Sequence, residues 1–230
     1  MAFQQPEGDW FFDCDGVLLD SNNVKSLAFE TAVISAGYSK AHARRLVKYH
    51  RLNSGVSRFA KFAWFFEHVL ARSPEPEELE QLLELFATEC SRGLLKCSVE
   101  PDARGVLSIL RKANVRAHVV SGGLETEVYN VLEAHGLAAC FHTVNGSPRD
   151  KAQILSDLGQ VPGSTSNGAF VGDSRYDMEV AKLFGLRRVF VSQWSDFKEW
   201  PEYVARRPDI LVMKNLGELA SLAESLGSTP

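Results

Sequence analysis

The second half of the chain alternates between short apolar runs and helical patterns, and this alternation restricts its fold more than any other feature. The predicted strands span residues 115–120, 140–144, 169–171, 189–191 and 210–213, and helical stretches separate most of them. Such an order is typical of parallel strands joined by helical crossovers. An earlier apolar run, Trp10–Phe12, stops at Asp13 and is predicted to join the same sheet. The predicted fold is α/β, a doubly wound parallel, Rossmann-like sheet.

Residues 22–96 show four helical patterns and no convincing strand. The patterns begin near Asn22, Ala41, Ser57 and Pro76. A chain of 230 residues is long enough for one domain of about 150 residues with an insertion. We therefore predict a core formed by residues 1–21 and 97–230, with residues 22–96 inserted as a helical cap domain.

The charge balance and the cysteines exclude several classes of protein. The 25 basic and 29 acidic residues give a net charge of -4, which argues against nucleic acid or an anionic membrane as partner. No run reaches the roughly 20 apolar residues of a membrane helix, and the N-terminus lacks the pattern of a signal peptide. The four cysteines lack metal-ligand spacing, which favours reduced thiols. We expect a cytoplasmic protein, a monomer or small homo-oligomer.

Polar residues follow the predicted strands where each strand ends. In an open parallel sheet, ligands bind beyond the carboxyl ends of the strands. One strand leads into Asp-Cys-Asp-Gly at 13–16, another into Ser-Gly-Gly at 121–123, and a third into Gly-Asp-Ser at 172–174. Four carboxylates, a hydroxyl and an ammonium should therefore meet at one edge, contributed by Asp13, Asp15, Asp173, Asp177, Ser121 and Lys151.

These three motifs, with Lys151 between the second and the third, resemble those of the haloacid dehalogenase superfamily, and the resemblance covers nearly the whole chain. It is nearest to members with a helical cap, the group of phosphoglycolate phosphatases and β-phosphoglucomutases. The resemblance implies a Mg²⁺-dependent phosphatase acting on a small phosphorylated metabolite: a sugar phosphate, a sugar-acid phosphate or phosphoglycolate. The reaction would pass through an aspartyl-phosphate.

The resemblance also implies a role for each residue of the motifs. Asp13 would be the nucleophile, and Asp15 would protonate the leaving oxygen and later activate water. Lys151 would offset charge on the phosphoryl group. Ser121 and the backbone of Gly122 would hydrogen-bond phosphate oxygens at a helix N-terminus, where Ser121 is equally suited to capping. Gly16 is expected to line the phosphate site.

A magnesium site is implied because carboxylates placed close together repel one another unless a hard cation lies among them. Its ligands would be Asp13, Asp173 and the backbone carbonyl of Asp15. Asp177 would act behind them or through water, although an acid in the first turn of a helix is also ordinary.

The predicted cap carries the segment Gly-Val-Ser-Arg at 55–58, which resembles the substrate-contacting segment of β-phosphoglucomutases. Arg58 would then read a second anionic group or a sugar, or else it is a solvated charge at a helix start. The segment Asn-Asn-Val-Lys at 22–25 stands where mutases carry a histidine, which favours hydrolysis over mutase activity. A catalytically silent binding module is the third alternative, and it would be supported by loss of a motif aspartate or of Lys151, none of which is missing.

Overall fold

The computed structural model describes residues 7–227, with only the backbone for residues 222–227. Residues 1–6, which belong to the segment predicted to lack a signal peptide, lie outside the described residues, as do residues 228–230.

Six strands form one parallel sheet in the order β3-β2-β1-β4-β5-β6, which confirms the predicted α/β fold. The chain winds outward from β1 in one direction through β2 and β3, and in the other through β4 to β6. The order reverses between β1 and β4, and at such a point the loops leaving the two strands diverge and open a crevice. The strands are β1 Trp10–Phe12, β2 Ala117–Leu124, β3 Thr143–Ser147, β4 Ala169–Gly172, β5 Arg187–Val191 and β6 Ile210–Met213.

Helices cover the sheet and form a separate helical block between β1 and β2. Its members are α1 Asn22–Ser35, α2 Lys40–Leu52, α3 Arg58–Trp64 and α4 Pro76–Leu94. The helices that flank the sheet are α5 Ala103–Lys112, α6 Glu125–Ala134, α7 Lys151–Asp157, α8 Arg175–Leu183, α9 Trp200–Ala205 and α10 Leu216–Gly227. None of the helices in residues 7–227 is long and apolar enough to cross a bilayer.

Aromatic packing holds the helical block together. The ring of Phe29 in α1 lies 4.3 Å from that of Phe86 in α4 and 5.3 Å from that of Phe62 in α3, between centroids. All three side chains are buried and form part of the core of the helical block. The α4 helix starts with a capping box between Glu75 and Glu78, which satisfies backbone donors at its first turn.

The structure corrects four sequence-based element boundaries. β2 runs four residues beyond Val120, with an irregular register against β3. The strand predicted at 140–144 is instead Thr143–Ser147. The prediction missed its second half because the polar Asn145 interrupts the apolar run. The amide of Asn145 donates to the carbonyl of Val119. The helix predicted over 57–71 ends at Trp64 and continues as a π-helical turn, Phe65–Val69, which buries both Phe65 and Phe66. The short α9 was not predicted.

Candidate active site

Asp13 stands directly after the central strand β1, and its side chain is 2% exposed. Its backbone N–H donates to the carbonyl of Val171 in β4, which fixes the residue at the crevice between the two strands. Asp13 Oδ1 accepts a hydrogen bond of 2.7 Å from the backbone N–H of Cys14, and Oδ2 lies 2.8 Å from Lys151 Nζ. Burial raises the pKa of Asp13 to about 7 although Lys151 opposes this, and Asp177 adds to it.

Lys151 is the first residue of α7, as predicted, and reaches two carboxylates. Its Nζ lies 2.8 Å from Asp13 Oδ2 and 2.6 Å from Asp177 Oδ1, and the side chain is 1% exposed. Asp150 caps α7 and forms a capping box with Gln153, so the helix start is held in place independently of the site. Burial alone would lower the pKa of Lys151, but the two carboxylates outweigh burial and raise it above its usual range. Lys151 is therefore a fixed positive charge.

Asp13, Asp173 and Asp177 form a buried acidic cluster in which one oxygen of each lies within 4.8 Å of the others. Asp173 Oδ2 accepts a hydrogen bond of 2.9 Å from the amide of Asn22, whereas Asp173 Oδ1 is buried with no hydrogen-bond partner. Burial, followed by repulsion from Asp13 and Asp177, raises the pKa of Asp173. A free carboxylate oxygen among like charges is a donor set that suits a hard cation such as Mg²⁺.

Asp177 occupies both roles that the sequence left open. It lies in the first turn of α8 and completes a capping box with Ser174, whose N–H and hydroxyl both donate to Asp177 Oδ2. Its other oxygen accepts from Lys151. Because both oxygens already have partners, Asp177 is suited to orienting Lys151 behind the cluster.

Gly16 lies next to Asp173 and has a φ of +75°, a conformation that favours glycine. A Cβ at this position would overlap Asp173 Oδ2 and crowd the amide of Asn22. Glycine is therefore required for the first loop to approach the acidic cluster.

Asp15 is held by two residues at the start of α1, and the sequence analysis predicted no part in the site for either of them. Ser21 Oγ donates to Asp15 Oδ1 at 2.5 Å, and Lys25 Nζ lies 3.0 Å from Oδ2. Burial would raise the pKa of Asp15, but Lys25 and the Ser21 hydroxyl outweigh burial and lower it. The motif Asp-Ser-Asn-Asn-Val-Lys at 20–25 was visible in the sequence, yet a lysine inside a helix looks like a solvated charge.

The structure corrects the expected setting of Ser121 and Gly122. Ser121 is fully buried inside β2, where its hydroxyl accepts from the N–H of Gly123, and α6 begins only at Glu125. The residue is therefore not at a helix N-terminus. Gly122 touches the helical block, since a Cβ there would overlap the carbonyl oxygen of Gly55. This contact brings the loop before α3 directly over the carboxyl edge of the sheet.

Arg58 is buried, so the alternative of a solvated charge is wrong. Its Nη1 donates to Glu127 Oε1 of α6 at 2.8 Å, and Nη2 pairs with the other carboxylate oxygen. The guanidinium also lies 4.5 Å from the ring centroid of Phe86. Arg58 thus joins the helical block to the core.

Cys14 lies between the two aspartates and is 2% exposed. Burial raises the pKa of its thiol, with Asp15 and Asp13 adding to the effect. The thiol is therefore a packed, protonated side chain, as the sequence reading expected. All four cysteines are free.

A small cavity of about 30 Å³ lies between Asp15 and the helical block. Its charged and titratable lining comprises Asp15, Lys25, His50, Arg58 and Lys61. The cavity has room for about two water molecules.

The parallel sheet and the carboxylate-lysine centre at its switch point define an α/β enzyme that handles an anionic group at the carboxyl edge. The family model for haloacid dehalogenase-like hydrolases matches residues 11–185. The chain belongs to that family, which confirms the resemblance drawn from its motifs.

The individual relatives share about a quarter of the aligned residues with this chain. A phosphoglycolate phosphatase of Aquifex aeolicus is 25% identical over 214 residues, which cover 87% of this chain and 93% of the relative. A phosphoglycolate phosphatase of Pseudomonas fluorescens is 27% identical over 189 residues, which cover 79% of this chain and 68% of the relative. Among solved structures, a hydrolase from Pseudomonas syringae superposes with a TM-score of 0.73 at 18% identity, covering 96% of this chain and 99% of that one. This last likeness concerns the fold.

Proposed function

We propose that this hydrolase is a Mg²⁺-dependent phosphatase that cleaves a small phosphate monoester through an aspartyl-phosphate on Asp13. The observation that carries the proposal is the pairing of buried Asp13 with Lys151 beside the partnerless oxygen of Asp173. The names of the two phosphoglycolate phosphatase relatives support the phosphatase class and make phosphoglycolate the first ester to test.

The chain's own residues divide the chemistry between them. The carboxylate of Asp13 attacks phosphorus, and the ester oxygen leaves with a proton from Asp15. Asp15 then takes a proton from water, whose oxygen attacks the aspartyl-phosphate and releases phosphate and free Asp13. Lys151 stays charged throughout and offsets the phosphoryl oxygens. Lys25 and Ser21 hold Asp15 in place and favour its ionised form, the form that takes a proton from water.

The ion would be held by Asp13, Asp173 and the backbone carbonyl of Asp15. The free Asp173 Oδ1 is the position that the donor set leaves for it. When bound, Mg²⁺ neutralises the carboxylates and withdraws charge from the phosphoryl oxygens. Asp177 keeps Lys151 aimed at Asp13, and the buried Ser121 hydroxyl is the donor that the core offers to a phosphate oxygen.

The helical block would act as the cap domain, with residues 22–96 moving relative to the core. The small size of the cavity and the contact of Gly122 with Gly55 both describe a covered site. A cover of this kind excludes bulk water from the phosphoryl group during transfer.

The decisive experiment combines an aryl phosphate assay with trapping of the intermediate. Asp13→Asn should abolish Mg²⁺-dependent hydrolysis, while Asp20→Asn in the same loop should leave it within about twofold. Acid quenching with labelled substrate should leave phosphate on the wild-type protein and none on Asp13→Asn. Full activity of Asp13→Asn, or full activity in excess chelator, would refute the proposal.

A further inference from the structure

The cavity beside Asp15 contains one positive charge that no carboxylate balances. Lys25 is paired with Asp15, and Arg58 with Glu127. Lys61 of α3 also lines the cavity and is 3% exposed, but among residues 7–221 no carboxylate lies within ion-pair distance of it. An ammonium buried without a counter-charge is strongly unfavourable. Such a lysine either loses its proton or takes an anion from outside the chain, and an anion bound beside it favours the charged form.

The single polar partner that the described structure gives to Lys61 is His50. Lys61 Nζ lies 2.8 Å from His50 Nδ1, and in its charged form it can only donate to that nitrogen. The hydrogen of the neutral imidazole then resides on Nε2, which is buried with no partner of its own. His50 is 5% exposed and lines the same cavity. The cavity wall thus contains Lys61, which has no paired carboxylate, beside the Nε2–H of His50, which has no acceptor.

We propose that Lys61 and His50 bind a carboxylate on the alcohol half of the phosphate ester, and that they select anionic over neutral substrates. This assignment rests on the proposed phosphatase function. Asp15, which protonates the leaving oxygen, lines the same cavity, so the alcohol half of the ester lies there. Lys61 and His50 are specificity-determining residues in this scheme and do not touch the phosphoryl group.

A carboxylate fits the site better than a second phosphate. Among the described residues the cavity offers one lysine without a paired carboxylate, whereas a second phosphate carries up to two negative charges. Burial, aided by the charge of Lys25, lowers the pKa of Lys61 to about 7. A bound carboxylate would oppose this lowering.

The test compares three esters of similar length on the wild-type protein: phosphoglycolate, 2-hydroxyethyl phosphate and ethane-1,2-diyl bisphosphate. We expect kcat/KM for phosphoglycolate to exceed that for the neutral ester about 10- to 100-fold, the range of a charge-assisted hydrogen bond. The bisphosphate should be poorer than phosphoglycolate. A preference for the bisphosphate, or no preference for the carboxylate, would overturn the inference while leaving the phosphatase proposal intact. Hydrolysis of the aryl phosphate but of none of the three would likewise overturn the inference alone.

Lys61→Met then assigns the preference to a residue. It should remove the 10- to 100-fold advantage of phosphoglycolate and leave the neutral ester within about twofold. Lys48→Met, an exposed lysine of α2, is the matched control and should change neither. Equal losses for both esters would show that Lys61 only supports the fold, and an unchanged preference would show that it does not contact the substrate.

Binding of the product provides a readout that does not depend on turnover or on an active variant. Millimolar glycolate should raise the melting temperature of the wild-type protein and of Lys48→Met, and should not raise that of Lys61→Met. An equal rise in all three proteins would overturn the inference.

Discussion

Arg58 of α3 and Glu127 of α6 form a two-point ion pair that connects the helical block to the core across 69 positions of sequence. The guanidinium is almost fully buried and stacks on Phe86, while the carboxylate is 21% exposed. Pairs of this geometry are among the stronger hydrogen-bonded contacts in proteins. The pair therefore fixes where the loop at residues 53–57 lies over the site.

Breaking this pair should weaken the covered state for every substrate. Arg58→Ala and Glu127→Gln should each lower the free energy of unfolding by about 1.5 to 3 kcal/mol. Each should reduce kcat/KM for anionic and neutral esters by the same factor. A double-mutant cycle in denaturant should show coupling, and Glu133→Gln on the exposed face of α6 is the control. Loss confined to anionic esters would instead support the sequence-based prediction that Arg58 reads the substrate.

Replacing Lys151 should show that its charge acts in catalysis as well as in the stability of the fold. Lys151→Met should reduce kcat about 100- to 1000-fold because the phosphoryl charge loses its partner. It should also lower the unfolding free energy by about 3 to 5 kcal/mol, since Asp13 and Asp177 lose their counter-charge. Added Mg²⁺ should restore part of that stability. Lys182→Met, exposed near the end of α8, should behave as wild type in both measurements.

Gly122→Ala should disturb the site by displacing the helical block. The new Cβ would overlap the carbonyl oxygen of Gly55, and a backbone atom cannot rotate away. A displacement of about 1 Å costs roughly 100-fold in rate, so kcat/KM should fall by that order. Gly105→Ala in α5 is the control, because nothing lies near its Cβ and alanine stabilises a helix by up to about 1 kcal/mol. Wild-type activity of Gly122→Ala would mean that the Gly55 contact is not needed for catalysis.

Sequence patterns predicted the parts of the site that depend on strand ends. Asp13 and Asp173 follow strands that the apolar runs marked, so the parallel sheet brings them to one edge. The partners Lys25 and Lys61 escaped prediction because each is a lysine within a helical pattern, where a solvated position is the ordinary one. Whether such a lysine is buried depends on how α1 and α3 pack over the core. The spacing of residues within one helix does not reveal that packing.

The same reason explains the errors at β3 and α3. A strand interrupted by Asn145 lacks the alternation that identifies strands. Its amide donates both to the carbonyl of Val119 in the neighbouring strand and to Thr143 Oγ1 in its own strand. The π-helical turn after Trp64 arises because two adjacent phenylalanines, Phe65 and Phe66, are both buried. Both features are set by tertiary contacts.

Finally, His118 should make the stability of the protein dependent on pH. The imidazole is 2% exposed in β2, and its Nδ1 is hydrogen-bonded to Thr143 Oγ1 at 2.8 Å. Burial lowers the pKa of His118 to about 4, and Asp9, 3.8 Å from Nε2, does not offset this.

The unfolded chain takes up a proton on His118 near pH 6.5, whereas the folded protein does so only near pH 4. The contribution of His118 is therefore complete above about pH 6.5 and is lost as the pH falls from there to about 4. In denaturant titrations, the free energy of unfolding should fall less steeply across this pH interval in His118→Gln than in the wild type. The control is His68→Gln, at a partly exposed histidine of the helical block, and it should follow the wild type. Equal slopes in His118→Gln and wild type would show that the pKa of His118 is the same in the folded and the unfolded chain.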